Sequence, residues 1–210
     1  MTFIGRYEQP WRGLDPDTAK TVLAQVNRHV SPRPMRHDRT LMSWAPLSFY
    51  DDMLVYALRD DSTLPAITKY ALRRKREIFV LDGTPSPIMA ANAAAPLVLT
   101  DANIIDYVQF FTSHVWHHGL PYTLVERADD IASLPLMTEQ QQMIMRQVVR
   151  PARVSESAQA PDAVEVQACF MADRRLVDRR LLVHTDGRVL CAPDMLLVDD
   201  LPPQLERSMY

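Results

Sequence analysis

The stretch Pro96–Glu126, PLVLTDANIIDYVQFFTSHVWHHGLPYTLVE, reads as a strand, a helix, a stop and a second strand, and its helix is the element on which the other segments are expected to pack. Thr100 stands where an N-cap belongs, and Asp101 follows in the first turn, where a negative charge suits the helix dipole. Ile104, Tyr107, Val108, Phe111 and Val115 recur at helical spacing as one apolar stripe. Gly119 supplies a left-handed stop and Pro121 forbids continuation, so the expected helix runs from Thr100 to His118. Wound at about 100° per residue, it turns Asp106, Ser113 and His117 toward water and leaves His114 and His118 beside Tyr107, on the margin of the stripe.

The segments on either side differ in kind. Asp15-Pro16-Asp17 opens a helix with a cap, a proline at the first position and a further acid; Ala19, Val22, Leu23, Val26 and Val30 give its stripe, and Pro32 and Pro34 close it. Tyr7 and Trp11 are expected to anchor the irregular start, and residues 31–46 carry no assignable pattern. Ser48–Leu58 favours a strand. Ile67–Leu72 and Glu77–Leu81 read as two more strands joined by Arg73-Arg74-Lys75-Arg76, with a helix over 66–76 as the rival. Asp82-Gly83 marks a turn, and Ser86-Pro87 opens a short alanine-rich helix that ends at Pro96.

Past Glu126, Thr138 and Gln141 have the spacing of a capping box, and Ile144, Met145, Val148 and Val149 follow as a stripe up to Pro151. Residues 152–162 have the composition of a linker, with a strand followed by a mobile loop as the other reading. The last third is an antiparallel meander: Val164, Val166, Ala168 and Phe170 alternate with Glu165, Gln167 and Cys169, a turn follows near Asp173-Arg174, and Val177–Thr185 leads to Asp186-Gly187. A two-residue turn there would set Leu182 opposite Cys191, and Pro193 marks a bulge or an edge in the returning segment Arg188–Val198. Residues 199–210 read as a short surface tail. Helices first and a meander afterwards argue for an α+β fold with helices packed on a mainly antiparallel sheet. A curved sheet wrapping helices, as in cystatin-like or NTF2-like architectures, is one way to assemble these parts, an analogy of architecture that no sequence motif accompanies.

The totals bound the function. The 210 residues fit a single α+β domain, with 1–135 as a helix-and-strand part and 151–200 as the meander, and 47% apolar with 23% charged residues is ordinary globular composition. A net charge of −3 gives no general field for nucleic acid or an anionic membrane. No run nears the roughly 20 apolar residues of a membrane span, and the start, MTFIGRYEQPWRGLDPD, lacks the apolar region of a secretory signal, so a cytoplasmic location is expected. Cys169 and Cys191 read as two buried thiols without a Cys-x-x-Cys pattern or a neighbouring histidine in sequence. With five glycines and no P-loop, nucleophile-elbow or dinucleotide fingerprint, no cofactor is indicated.

Candidate chemistry gathers on SHVWHH, residues 113–118. His114 and His118 stand four apart, a spacing by which two imidazoles can share a zinc, but no glutamate accompanies them and Asp101, Asp106 and His184 are only conceivable third ligands, so no metal is assigned. The same pair with Tyr107 would instead edge a ligand pocket, which makes Tyr107, His114 and His118 the candidate binding residues. Arg73–Arg76 lacks an aromatic platform and reads as a solvated turn rather than a nucleic-acid site. Arg179 and Arg180 point to opposite faces of one strand, so one is directed inward and needs a carboxylate, Asp178 or Glu165 being near in sequence pattern. The leading expectation is a non-enzymatic module that binds a protein partner or another copy of itself through the apolar runs Leu181–Val183 and Met195–Val198. A small-molecule-binding protein or enzyme with its pocket beside the 101–118 helix is the alternative, and nucleic-acid binding ranks last.

Overall fold

Asp15 accepts hydrogen bonds from the backbone N–H of Asp17 (3.1 Å) and Thr18 (3.0 Å), and so begins the first helix where the sequence puts its cap. The structure is a computed structural model that describes residues 11–30, 34–62, 66–131, 133–158 and 160–202; Tyr7, Pro32, Arg33 and the tail beyond 202 lie outside them. These residues separate into two compact units, 11–98 and 99–202.

In the first unit, β1 (Arg12–Gly13), α1 (Pro16–Val26), β2 (Thr40–Pro46), β3 (Leu54–Asp60), β4 (Ile67–Arg74), β5 (Glu77–Leu81) and α2 (Ser86–Ala94) follow one another. The strands form an antiparallel meander in the order β1-β2-β3-β4-β5. Val22, Leu23 and Val26 of α1 pack with Tyr56, Leu58 and Ala71 of the sheet. The helix stops at Val26, before the prolines, because the Asn27 amide takes both backbone groups of Met35, donating to its carbonyl at 2.8 Å and accepting from its N–H at 2.9 Å. Strand β2 lies in the stretch that shows no periodicity, and β3 begins at Leu54, six residues later than its composition suggests. The rival helix over 66–76 is absent: β4 and β5 make a tight hairpin in which Arg74 faces Glu77 and Lys75 takes φ 52°.

In the second unit, α3 (Ile104–His114), β6 (Thr123–Val125), α4 (Glu139–Val148), β7 (Arg153–Glu156), β8 (Ala163–Ala172), β9 (Arg175–His184), β10 (Val189–Cys191) and β11 (Met195–Val198) follow. The meander is built on two ten-residue strands, β8 and β9. Each carries two short antiparallel strands end to end along its other side: β7 and β6 on β8, and β10 and β11 on β9. One of them, β7, comes from the linker-like segment. The capping box opens α4 as its spacing predicts, with Gln141 N–H donating to Thr138 Oγ1 at 3.2 Å and Thr138 N–H to Gln141 Oε1 at 3.0 Å. Met145 and Val149 then join Cys169, Met171 and Leu176 in this unit's core.

Three expectations about local geometry are corrected. Helix α3 is shorter at both ends than Thr100–His118: Asn103 Oδ1 accepts from Thr100 N–H (2.7 Å) in a turn that precedes the helix, and Val115 is already extended. Ile104 and Phe111 are buried as expected, but Gly119, at φ 78°, serves a separate turn and not the end of the helix. At Asp186-Gly187 the glycine alone takes positive φ, and His184 N–H bonds to Arg188 O at 2.8 Å, which makes a three-residue loop. That shifts the register by one, so Leu182 faces Leu190 and Cys191 faces Leu181. The returning segment is also broken at residues 192–194, around Pro193, into β10 and β11.

Candidate functional site

The three residues singled out on the central helix go to three different places. Tyr107 is fully buried and donates from its hydroxyl to Gly187 O at 2.6 Å, tying α3 to the β9–β10 loop. His114 is buried with its ring edge-on to Phe110 (4.8 Å between centroids), and burial pulls its imidazole down to about 3, so it is neutral at physiological pH. His118 is exposed in the turn after the helix, at φ 52°. The shared helix face on which His114 and His118 were expected does not form, because the helix ends at the first of them. Among the described residues no group of three or more His, Cys, Asp or Glu side chains is placed to hold a metal ion.

A cleft opens at the other end of α3. It has a volume of about 160 Å³, with Thr100, Asp101 and Ile104 on one side and Asp162, His184 and Thr185 on the other. By volume it holds the equivalent of about five water molecules. Strand geometry explains the second side: β8 and β9 pair from Ala163↔His184 onward, so Asp162 and His184 meet at the end of the ladder. Thr185 N–H donates to Asp162 O (3.0 Å), and His184 Nδ1 lies 3.1 Å from Asp162 Oδ2. The His184 hydrogen bond holds the Asp162 carboxyl below its usual range, so the group is a carboxylate that accepts the Nδ1 proton. In neutral His184 that leaves Nε2 as an acceptor. The residue is 8% exposed, and Nε2 has no hydrogen-bond partner among the described residues. Val154 and Val183 add apolar wall. The cleft thus combines two carboxylates, two threonines and an imidazole fixed in one tautomer.

The inward arginine of the meander is Arg179, which lies in the buried row Val177, Arg179, Leu181, Val183 of β9 and is 4% exposed. Its carboxylate is neither Asp178 nor Glu165 but Asp194, which takes the Arg179 Nε–H. Asp178 could not serve, since adjacent strand residues point to opposite faces; it accepts from Gln167 at 2.7 Å on the other side. Asp194 reaches inward because the chain is interrupted between β10 and β11. It also accepts from the Tyr122 hydroxyl at 2.8 Å, and Arg179 Cζ lies 3.8 Å over the Tyr122 ring. In the first unit, Arg74 of the basic run is held by Asp52 at 2.8 Å, and Arg73 lies over the Tyr56 ring at 6.0 Å.

Position in sequence hides most of this. His184 and Asp162 are 22 residues apart, and the signal that could have found them is the strand register, which pairs the last residue of β9 with the first of β8. Among the described residues no helix is long and apolar enough to cross a membrane. Compared with family models, curated proteins and solved structures, the chain matches none of them.

Proposed function

We propose that this protein binds a small molecule in the cleft between the 100–104 segment and the Asp162–His184 pair, with His184 Nε2 accepting a hydrogen bond from the ligand. One observation carries the reading: a buried imidazole lines the cleft with one nitrogen committed to a carboxylate and the other without a partner among the described residues. A buried acceptor left unmatched costs about 1–3 kcal/mol; Nε2 is closed to solvent, so a ligand donor recovers that cost by shifting the His184 ring toward the cleft as it binds. Asp101 and Asp162 make the cleft electronegative, so the favoured ligand is a small amine or amino alcohol with an apolar part that meets Ile104 and Val183. The carboxylate–imidazole pair is also the arrangement of an oriented general base, but among the described residues no hydroxyl or thiol is hydrogen-bonded to it as a nucleophile, and the reading is one of binding. The pocket of this reading lies at the opening of the central helix and not at its histidine-rich end.

The test is a thermal-shift panel of small amines, amino alcohols and matched neutral alcohols against the full chain, followed by calorimetry. The expected result is stabilisation by one or more amines that His184→Ala reduces at least tenfold in affinity and Asp162→Asn reduces less. If no compound of the panel binds, or His184→Ala binds as tightly as the parent, the reading is wrong.

A second reading, self-association through β10 and β11, is favoured by the exposure of Leu190, Met195 and Leu196, each more than half accessible at one margin of the sheet.

A further inference from the structure

Cys191, at the end of β10, has its Sγ 3.3 Å from Nε2 of His117. These residues are 74 apart in sequence, and a turn brings them together. After α3 the chain reverses over His118 and Gly119, both at positive φ, with His117 and Leu120 exchanging backbone hydrogen bonds of 2.9 and 3.0 Å. That is the two-residue reversal that left-handed residues permit, and it points the His117 ring at Tyr122 (5.9 Å, edge-on) and at the thiol.

Two features distinguish Cys191 from the other thiol. Cys169 is 4% exposed and directs its thiol at Val148 O, whereas Cys191 is half-buried and directs its own at a base. Beside Cys191 stands the Arg179 guanidinium, 4% exposed, whose Nε is taken by Asp194 and whose charge favours the thiolate that forms as the proton leaves. Burial raises the Cys191 thiol and lowers the His117 imidazole, which favours a neutral pair over thiolate–imidazolium, and in the tautomer with the proton on Nδ1 the thiol donates to Nε2. Such a thiol is slow to ionise by itself. It becomes a nucleophile when the imidazole removes its proton as the sulfur attacks.

We propose that Cys191 is a thiol nucleophile assisted by His117 and that it undergoes exchange with low-molecular-weight disulfides. The step balances without another reactant. Cys191 Sγ attacks one sulfur of the disulfide, a new S–S bond forms as the old one breaks, and the proton passes from Sγ to His117 Nε2 and on to the departing thiolate. Cys191 is oxidised by the disulfide and the leaving sulfur is reduced. The site is distinct from the Asp162–His184 cleft and does not depend on it.

The probes are 5,5′-dithiobis(2-nitrobenzoate), which carries carboxylates, and neutral 4,4′-dithiodipyridine, each reacted with the full chain and with a free small-molecule thiol, sites being located by peptide mass. One fast equivalent is expected at Cys191 and none at Cys169, with Cys191→Ser abolishing the fast phase. His117→Phe, which keeps an aromatic ring against Tyr122, should slow the reaction at least tenfold. The parent protein supplies a further check that needs no variant. Assistance by a neutral imidazole predicts a rate that is already level above the ordinary histidine range and drops as pH falls below it. The charged groups facing His117 are Arg179 from β9 and Asp194 from the link to β11, with His118 beside it in its own turn. A rate that climbs tenfold per pH unit through the ordinary thiol range, as simple ionisation of a thiol raised by burial requires, would overturn the proposal. So would equal labelling of both cysteines.

Discussion

His114 shows how burial alone changes what a side chain can do. Residue type and spacing make it a candidate ligand, yet it is buried beside Phe110 and held neutral by desolvation. That has a measurable consequence. An imidazole pulled to about 3 in the folded protein, against 6.5 unfolded, is protonated in the unfolded chain first as pH falls. Its contribution to stability is therefore complete above pH 6.5 and is lost below it, at up to about 1.4 kcal/mol per pH unit, until the folded value is reached. Urea unfolding at pH 7 and pH 5.5 should show a loss of about 1 kcal/mol that His114→Leu removes. His117, also lowered by burial, adds to the parent's loss in the same direction. An equally steep dependence in the variant would mean that His114 is not the group responsible.

Among the elements, the turn His117–Leu120 decides most about the thiol site. The sequence reading takes Gly119 as the end of a long helix, and the residue is left-handed as that requires, but the helix has already ended five residues earlier. His118 holds φ 52° without the freedom of glycine, which costs on the order of 1 kcal/mol. Asparagine tolerates that conformation better. His118→Asn should therefore stabilise the protein by a few tenths to about 1 kcal/mol in thermal or urea unfolding. Destabilisation by this variant would show that the His118 side chain holds something in place that its exposure conceals. The β9–β10 loop makes the complementary point, because one residue of loop length separates the expected register from the observed one and moves Cys191 from Leu182 to Leu181.

For the molecule as a whole, the two units each assemble an antiparallel sheet with helices, and each has its own core. The apolar residues left outside those cores bear on self-association. With Leu190, Met195 and Leu196 on one margin, sedimentation velocity from micromolar to submillimolar protein should show a concentration-dependent rise in mass that Leu196→Asp abolishes without lowering the melting temperature. A strict monomer throughout that range would remove the self-association reading and leave the cleft reading untouched. The protein's small net charge of −3 offers little repulsion against such contact.

What could be read from residue order was whatever depends on neighbours along the chain. The Asp15 cap, the capping box at Thr138 and Gln141, the apolar stripe from Ile104 to Phe111, and the alternation in β8 all express local hydrogen bonding and periodicity, and they led to the α+β class. Helix ends were less legible, because Asn27 finds its partner at Met35 and Val115 turns away with no proline to force it. Strand β2 was missed because its edges are held by pairing with β3 rather than by its own pattern. The candidate sites lie at the far end of this scale. Asp162 meets His184, Cys191 meets His117, and Arg179 meets Asp194 only because strand register, a two-residue turn and a break in a strand close long loops. Those closures are settled by packing over the whole unit, and pairwise spacing in the sequence carries no record of them.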